Sequence, residues 1–191
     1  MSIEQPKYTV LSSSAHREVR QYEARIVAET FVEGTREKAL SEAFSILASY
    51  IFGGNEPAAR VAMTSPVTQS QDLEQIAMTA QVLQQMAKRD DSPYWVVQFT
   101  MPASYRIEDL PRPTDARVRL REVPASTLAV VRFSGRARSK TLLDKEKELR
   151  EFIERESLEP IGEVSYAFYN PPYTLPPFRR NEVWIEVTPM R

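Results

Sequence analysis

The alternation of apolar and polar positions predicts a long strand early in the chain, followed by a helix. Over residues 19–33, every second residue between Tyr22 and Val32 belongs to one face, and the other face is largely polar. That period of two is typical of a half-buried strand. Gly34 ends the strand, and from residue 36 to 52 the apolar residues recur at helical spacing. Gly53 provides a stop at the end of this predicted helix.

The same pattern recurs at an offset of 101 residues, the separation of Gly34 from Gly135. A second helix is predicted over residues 139–157. Four residues of the predicted first strand are matched at this offset. They are Tyr22, Ala24, Ala28 and Val32, and their counterparts are Val123, Ala125, Ala129 and Phe133. Shorter alternating or apolar stretches predict further strands at residues 60–69, 75–84, 94–101, 163–170 and 181–188.

A strand–helix–strand–strand unit used twice predicts an α+β fold with pseudo-twofold symmetry. The two pseudo-repeats cover about residues 8–101 and 115–188, and residues 102–114, which are punctuated by prolines, connect them. We expect residues 1–191 to form a single domain, because neither half would close its own sheet edges.

Composition removes several classes of function. The 191 residues carry a formal net charge of -1, which offers no global attraction to nucleic acid or to an anionic membrane. There is no cysteine and only one histidine, His16, so disulfides, thiolate nucleophiles and most metal sites are excluded. No apolar run is long enough to span a bilayer, and the first residues lack a signal core. We therefore expect a cytoplasmic protein without a metal site.

Two motifs carry a family resemblance. The stretch Val61–Val67 (VAMTSPV) is nearly repeated as Ile76–Val82 (IAMTAQV), and a late segment reads YNPPYT and then RRNEV, from Tyr169 to Val183. Together these segments resemble the SOUL family of haem-binding proteins over about residues 8–187. The resemblance implies a twisted antiparallel sheet curled towards a barrel, with two flanking helices. It also implies non-covalent binding of haem or a related tetrapyrrole.

The resemblance further implies a groove beside the first helix and the late proline-rich loop. Apolar groups would cover the ring and arginines would meet its carboxylates. The candidate residues are Phe44, Leu47, Tyr50, Met63, Met78, Tyr173, Arg179 and Arg180. Each also has a structural interpretation: the apolar ones as core, and the arginines as partners of carboxylates such as Glu182. Gln21 stands where some family members carry a histidine, so binding is expected to depend little on iron.

Two other functions remain open on the sequence. The first is an effector-sensing module of the GyrI-like type for other amphipathic or cationic small molecules, which a buried carboxylate in the cleft would favour. The second is a protein–protein adaptor that docks through the proline-rich loop. An enzyme is the least supported class, because no pair of nucleophile and base is recognisable in the sequence.

Overall fold

The computed structural model describes residues 4–57, 59–62, 64–72, 94–170 and 173–188. The strands of the first half are β1 (Tyr8–Ser14), β2 (Arg17–Tyr22), β3 (Arg25–Glu33), β4 (Asn55–Glu56), β5 (Val67–Asp72) and β6 (Tyr94–Thr100). Those of the second are β7 (Arg112–Pro113), β8 (Arg119–Val123), β9 (Ser126–Phe133), β10 (Ser165–Phe168) and β11 (Asn181–Val187). The helices are α1 (Arg36–Ile51) and α2 (Ser139–Arg155).

Nine of these strands form one antiparallel sheet, curled into a half-barrel, in the order β1-β2-β9-β11-β10-β5-β6-β3-β8. One face of the sheet is covered by the helices, with α1 over the β3 and β6 side and α2 over the β9 and β11 side. We call the opposite face the open face. In the part of the chain that the structure describes, no helix is long and apolar enough to cross a membrane.

The duplication expected from the sequence is confirmed, and it contains an exchange of strands. At the offset of 101 residues, β2 corresponds to β8, β3 to β9 and α1 to α2. Strand β2 pairs with β9 of the second half, and β8 pairs with β3 of the first. Each half therefore gives the other half the strand that precedes its long central strand, β2 from the first half and β8 from the second. The two halves meet where β5 pairs with β10.

The prediction of one strand over residues 19–33 is wrong. The chain turns at residues 23–24, and β2 and β3 join different neighbours in the sheet. The inward face changes at this turn: Ala28 packs beneath α1, whereas Tyr22 packs with Trp184 on the open face. Glu29, which belongs to the polar face of the predicted strand, is buried. It is buried because the curled sheet shields its second face as well.

The helix boundaries agree with the sequence to within two residues, since the predicted ranges 36–52 and 139–157 become 36–51 and 139–155. Strand β5 begins only at Val67 and is paired on both sides, with β6 and β10. The predicted strand at 75–84 lies outside the described residues. The helices cover two apolar clusters, one containing Leu47 and the other Leu149, and Trp95 contacts both.

Candidate functional site

The open face contains a continuous cleft that extends across both halves of the sheet. A groove of about 420 Å³ lies over strands from β8 to β9, and an adjoining cleft of about 710 Å³ extends towards residues 100–106. Both volumes are in the range of small-molecule sites. The two spaces share five lining residues, namely Pro6, Arg25, Thr100, Val123 and Pro124. They therefore form one site with two compartments.

The groove has an amphipathic lining. Its apolar part comes from side chains that alternate towards the open face, namely Val27, Val96, Val123, Leu128 and Trp184. Small polar side chains lie between them, including those of Ser70 and Ser165 on the two central strands. Such a surface suits a ligand that is largely flat and apolar and carries a few polar groups.

Two arginines occupy matching positions on the exchanged strands. Arg20 on β2 and Arg121 on β8 are separated by the repeat offset, and each lies opposite an aliphatic residue of the neighbouring strand. Arg20 pairs with the buried carboxylate of Glu182, and Arg121 with that of Glu29. The duplication has thus placed one arginine–carboxylate pair in each half.

The Glu182 carboxylate is fully engaged. Its Oε1 accepts hydrogen bonds from Arg20 Nη2 (3.2 Å) and from Arg180 Nε and Nη2 (2.9 and 2.7 Å). Its Oε2 accepts from Arg20 Nη1 (3.0 Å), Tyr169 Oη (2.7 Å) and Trp184 Nε1 (2.8 Å). Burial alone would raise the pKa of Glu182, but Arg20, and then Arg180 and Tyr169, lower it overall. The group is a shielded anion.

The ion pair between Glu29 and Arg121 is looser than the one between Glu182 and Arg20. Gln98 Nε2 donates to Glu29 Oε2 at 2.9 Å, and Arg121 reaches the same carboxylate at 3.2–3.3 Å. Arg121 is about one-third exposed, whereas Arg20 is almost completely buried. The Arg121 guanidinium therefore remains accessible from the groove that it lines.

Arg25 lies at the junction of the groove and the adjoining cleft and lines both. Its Nη1 atom is buried and has no hydrogen-bond partner among the described residues. Its guanidinium lies over the Tyr22 ring, 5.5 Å from the ring centroid. Burial lowers the pKa of Arg25, opposed by the fields of Tyr22 and Glu186 and assisted by that of Arg121. The cleft therefore contains a cation with unused hydrogen-bonding capacity.

The apolar candidates from the first helix differ in exposure. Leu47 is 0% exposed and Tyr50 is 1% exposed, both within the cluster beneath α1. The Tyr50 hydroxyl donates to the Pro111 carbonyl at 3.0 Å, and burial raises the pKa of this phenol to about 12. Phe44 is 38% exposed, and its ring packs against that of Phe99 at 5.3 Å between centroids. Of these three, Phe44 presents the largest surface to a ligand.

The candidates from the proline-rich loop lie on a segment that is held at several points. Tyr173 is 86% exposed. Arg179 Nε donates to the Thr174 carbonyl at 2.7 Å, and the Gly135 N–H donates to the Pro176 carbonyl at 2.9 Å. Arg180 binds Glu182, as the structural interpretation of the sequence expects. The methionine candidates, Met63 and Met78, lie outside the described residues.

Sequence reasoning named Glu182 as a partner of the loop arginines, but it did not identify Arg20, Arg25, Glu29 and Arg121 as charged residues of the open face. One signal was present, because Arg20 and Arg121 are related by the same offset as the glycines at 34 and 135. The carboxylates that pair with these arginines are not related by this offset. Glu182 comes from β11 and Glu29 from β3, so the two carboxylates are not equivalent in the repeat.

The fold, together with a cleft between two related halves, defines a two-repeat α+β ligand-binding protein. The chain belongs to the SOUL heme-binding protein family, whose model matches residues 3–186. This membership indicates a role in binding small molecules. A search of curated protein sequences found no match.

Solved structures of low sequence identity share the fold. The EcmrR C-terminal domain is 11% identical with a TM-score of 0.63, over 96% of this chain and 99% of that domain. A hydrolase from Listeria innocua is 12% identical with a TM-score of 0.59, over 93% and 94%. SAV2435, solved bound to tetraphenylphosphonium, is 12% identical with a TM-score of 0.51, over 90% and 93%. These similarities concern architecture alone.

Proposed function

We propose that the protein binds haem or a related tetrapyrrole non-covalently and without catalysis, in the cleft of the open face. The observation that carries this proposal is the cleft itself, which combines an apolar wall around Trp184 with the unsatisfied cation of Arg25. Tetrapyrroles of this kind have a flat apolar ring with carboxylates at its edge. The match to the heme-binding family supports the same ligand class.

The cleft residues fit the ring and its carboxylates better than they fit the iron. Val96, Leu128 and Trp184 offer apolar contact, and Arg25 and Arg121 offer donors to carboxylates. Among the described residues that line the groove there is no histidine, tyrosine or methionine, and Tyr105 and Met101 line only the adjoining cleft. Across the described ranges, no cluster of His, Asp and Glu side chains could hold a metal ion. We therefore expect metal-free protoporphyrin to bind within about tenfold of haemin, about 1.4 kcal/mol.

A second location for the same function is the groove beside α1 that the family resemblance implies. Phe44 offers exposed surface there, and the resemblance assigns Tyr173 and Arg179 of the proline-rich loop to the same groove. Leu47 and Tyr50 would contribute only after α1 moved, because both are buried. The open face needs no such movement, so we give it preference.

A cationic ligand is the alternative that the buried Glu182 carboxylate could favour, and SAV2435 is a structural neighbour solved with such a ligand. In this chain, however, two guanidinium groups already neutralise Glu182. A cation would have to displace Arg180, or the almost completely buried Arg20, from Glu182, and losing that pairing is costly. We therefore expect tetraphenylphosphonium to bind far more weakly than protoporphyrin.

The test compares one substitution that fills the groove with one at α1. Ser165→Trp places a large ring between β10 and its neighbours and should weaken protoporphyrin binding by roughly tenfold or more, because it occupies the ligand's space. Phe44→Ala should change the affinity little. Ser13→Trp, at an exposed position on β1, is the matched control for adding a tryptophan. Affinities would be measured by fluorescence titration, with circular dichroism to confirm folding.

The outcomes separate location from function. If Phe44→Ala abolishes binding and Ser165→Trp does not, the ligand lies beside α1 and the open-face location is wrong. If the wild-type protein binds neither protoporphyrin nor haemin, the tetrapyrrole function itself is wrong. Binding of tetraphenylphosphonium in its place would favour the effector-sensing alternative.

A further inference from the structure

We infer that Arg25 is the carboxylate anchor of the open-face cleft and makes it selective for ligands that carry a free carboxylate. This inference rests on the proposed function and assigns a role to a residue of that site. Nothing in the family resemblance pointed to this side chain, since the expected anchors were Arg179 and Arg180 on the loop.

Arg25 is placed to meet a ligand carboxylate. Arg25 lines both compartments, so a ligand in either one lies within its reach. Arg25 pairs with Val123 and Val27 with Arg121, which puts the two arginines diagonally across adjacent strands on the same face. A carboxylate between them could accept from both guanidinium groups. Such a bidentate arrangement is both strong and directional.

Three other arginines on this face already have carboxylate partners: Arg20 and Arg180 bind Glu182, and Arg121 binds Glu29. Arg25 forms a cation–π contact with Tyr22, but its buried Nη1 has no acceptor in the described parts of the chain. A buried donor without a partner is costly, so a ligand that supplies the acceptor gains that free energy.

The protein's own carboxylates compete only weakly with a ligand for the Arg25 guanidinium. Glu186 lines the groove, is exposed to solvent, and is the carboxylate whose field acts on Arg25. Because Glu186 is exposed, its attraction for Arg25 is screened by water and weak. Glu29, four residues further along β3, already accepts hydrogen bonds from Gln98 and Arg121. A ligand carboxylate buried in the cleft would therefore compete successfully for the guanidinium.

The experiment titrates protoporphyrin IX and its dimethyl ester, which differ only in the two carboxylates. Quenching of tryptophan fluorescence and amide shifts in NMR spectra would report binding. We expect the ester to bind wild type roughly ten- to a hundredfold more weakly than the free acid. In Arg25→Gln this difference should largely disappear, because the free acid loses its anchor and the ester loses nothing.

Three further variants control for structural effects. Arg25→Lys keeps the charge and should restore part of the preference for the acid, which a purely structural role would not predict. Glu186→Gln removes the competing carboxylate and should tighten acid binding by roughly two- to fivefold. Arg106→Gln removes a cation of the adjoining cleft that is 80% exposed, and should leave the preference unchanged.

The possible failures are distinguishable. If wild type binds the acid and the ester equally, and Arg25→Gln changes neither, the cleft binds tetrapyrroles but Arg25 is not the anchor. If the preference for the acid survives in Arg25→Gln and is lost in Arg179→Gln, the anchor lies on the loop. If wild type binds neither compound, both the proposed function and this inference are overturned.

Discussion

At the scale of the residue, the open face shows how charges can be buried in a small protein. The Glu182 side chain is 0% exposed and receives six hydrogen bonds, from two arginines, a tyrosine and a tryptophan. Removing a carboxylate from water is expensive, and only a complete set of donors offsets that cost. Any substitution that leaves one member of this cluster without a partner is therefore expected to destabilise the protein.

Replacing Glu182 by glutamine tests whether the stability of this cluster depends on the carboxylate charge. Glutamine keeps the shape but removes the charge, so the partly exposed Arg180 loses this carboxylate partner and the buried Arg20 keeps only Glu18 among the described residues. We expect the free energy of unfolding to fall by about 3–5 kcal/mol at pH 7. Urea denaturation would measure it. Glu163→Gln, an exposed carboxylate at the same groove, is the control and should change stability by less than about 0.5 kcal/mol. Equal effects of the two substitutions would contradict the argument.

The same carboxylate predicts a dependence on pH. The pKa of Glu182 is lower in the folded protein than its ordinary value, so its contribution to stability is fully present above about pH 4.3, the usual glutamate pKa. As the pH falls below that value the contribution declines, and it is lost below the folded pKa. The difference in stability between wild type and Glu182→Gln should therefore narrow from pH 7 to pH 3. A constant difference would show that charge is not the cause.

At the scale of the element, sequence patterns located helices well and the first strands poorly. Helical spacing identified α1 and α2 because each has one apolar side against one sheet face. The period of two over residues 19–33 could not show the turn at Glu23, because strands β2 and β3 both alternate. It also could not show that Arg25 lines a cleft and that Glu29 is buried, because the pattern of a polar residue is the same whether it faces solvent or a shielded polar site.

The turns that lead into the two helices give a prediction at this scale. Gly34 has φ of 114° and Gly135 has φ of 98°, and a Cβ at either position would meet no atom within 4 Å. Alanine would therefore cost only backbone strain, about 1–2 kcal/mol at each site. Because the two turns are equivalent in the repeat, the costs should agree within about 0.5 kcal/mol in thermal or urea unfolding. A markedly larger cost at one site would mean that the turns are not equivalent.

At the scale of the molecule, the exchange of β2 and β8 joins the two halves. Residue patterns indicate which side chains share a face, but not which strand lies alongside, so the exchange was not predictable from one sequence. For the same reason the contact between Arg20 and Glu182, which are 162 residues apart, carried no local signal. We propose that the halves form a single cooperative unit, because each supplies a strand that completes the sheet of the other.

Cooperativity can be tested by weakening one half and observing both. Leu47 and Leu149 are each 0% exposed, in the clusters beneath α1 and α2. Alanine at either should cost about 2–5 kcal/mol through lost contacts and the cavity left behind. Trp95→Phe and Trp184→Phe each leave one tryptophan, so the remaining fluorescence reports from β11, where Trp184 lies, or from β6, where Trp95 contacts both clusters.

Leu47→Ala and Leu149→Ala should each lower the urea midpoint by the same amount whether Trp95 or Trp184 is observed. The reason is that opening either half removes the exchanged strand from the other and exposes its sheet edge. If Leu149→Ala shifts only the transition seen by Trp184, each half unfolds on its own. The cleft between them would then be an interface between two domains, and ligand binding would be expected to stabilise that interface more than either core.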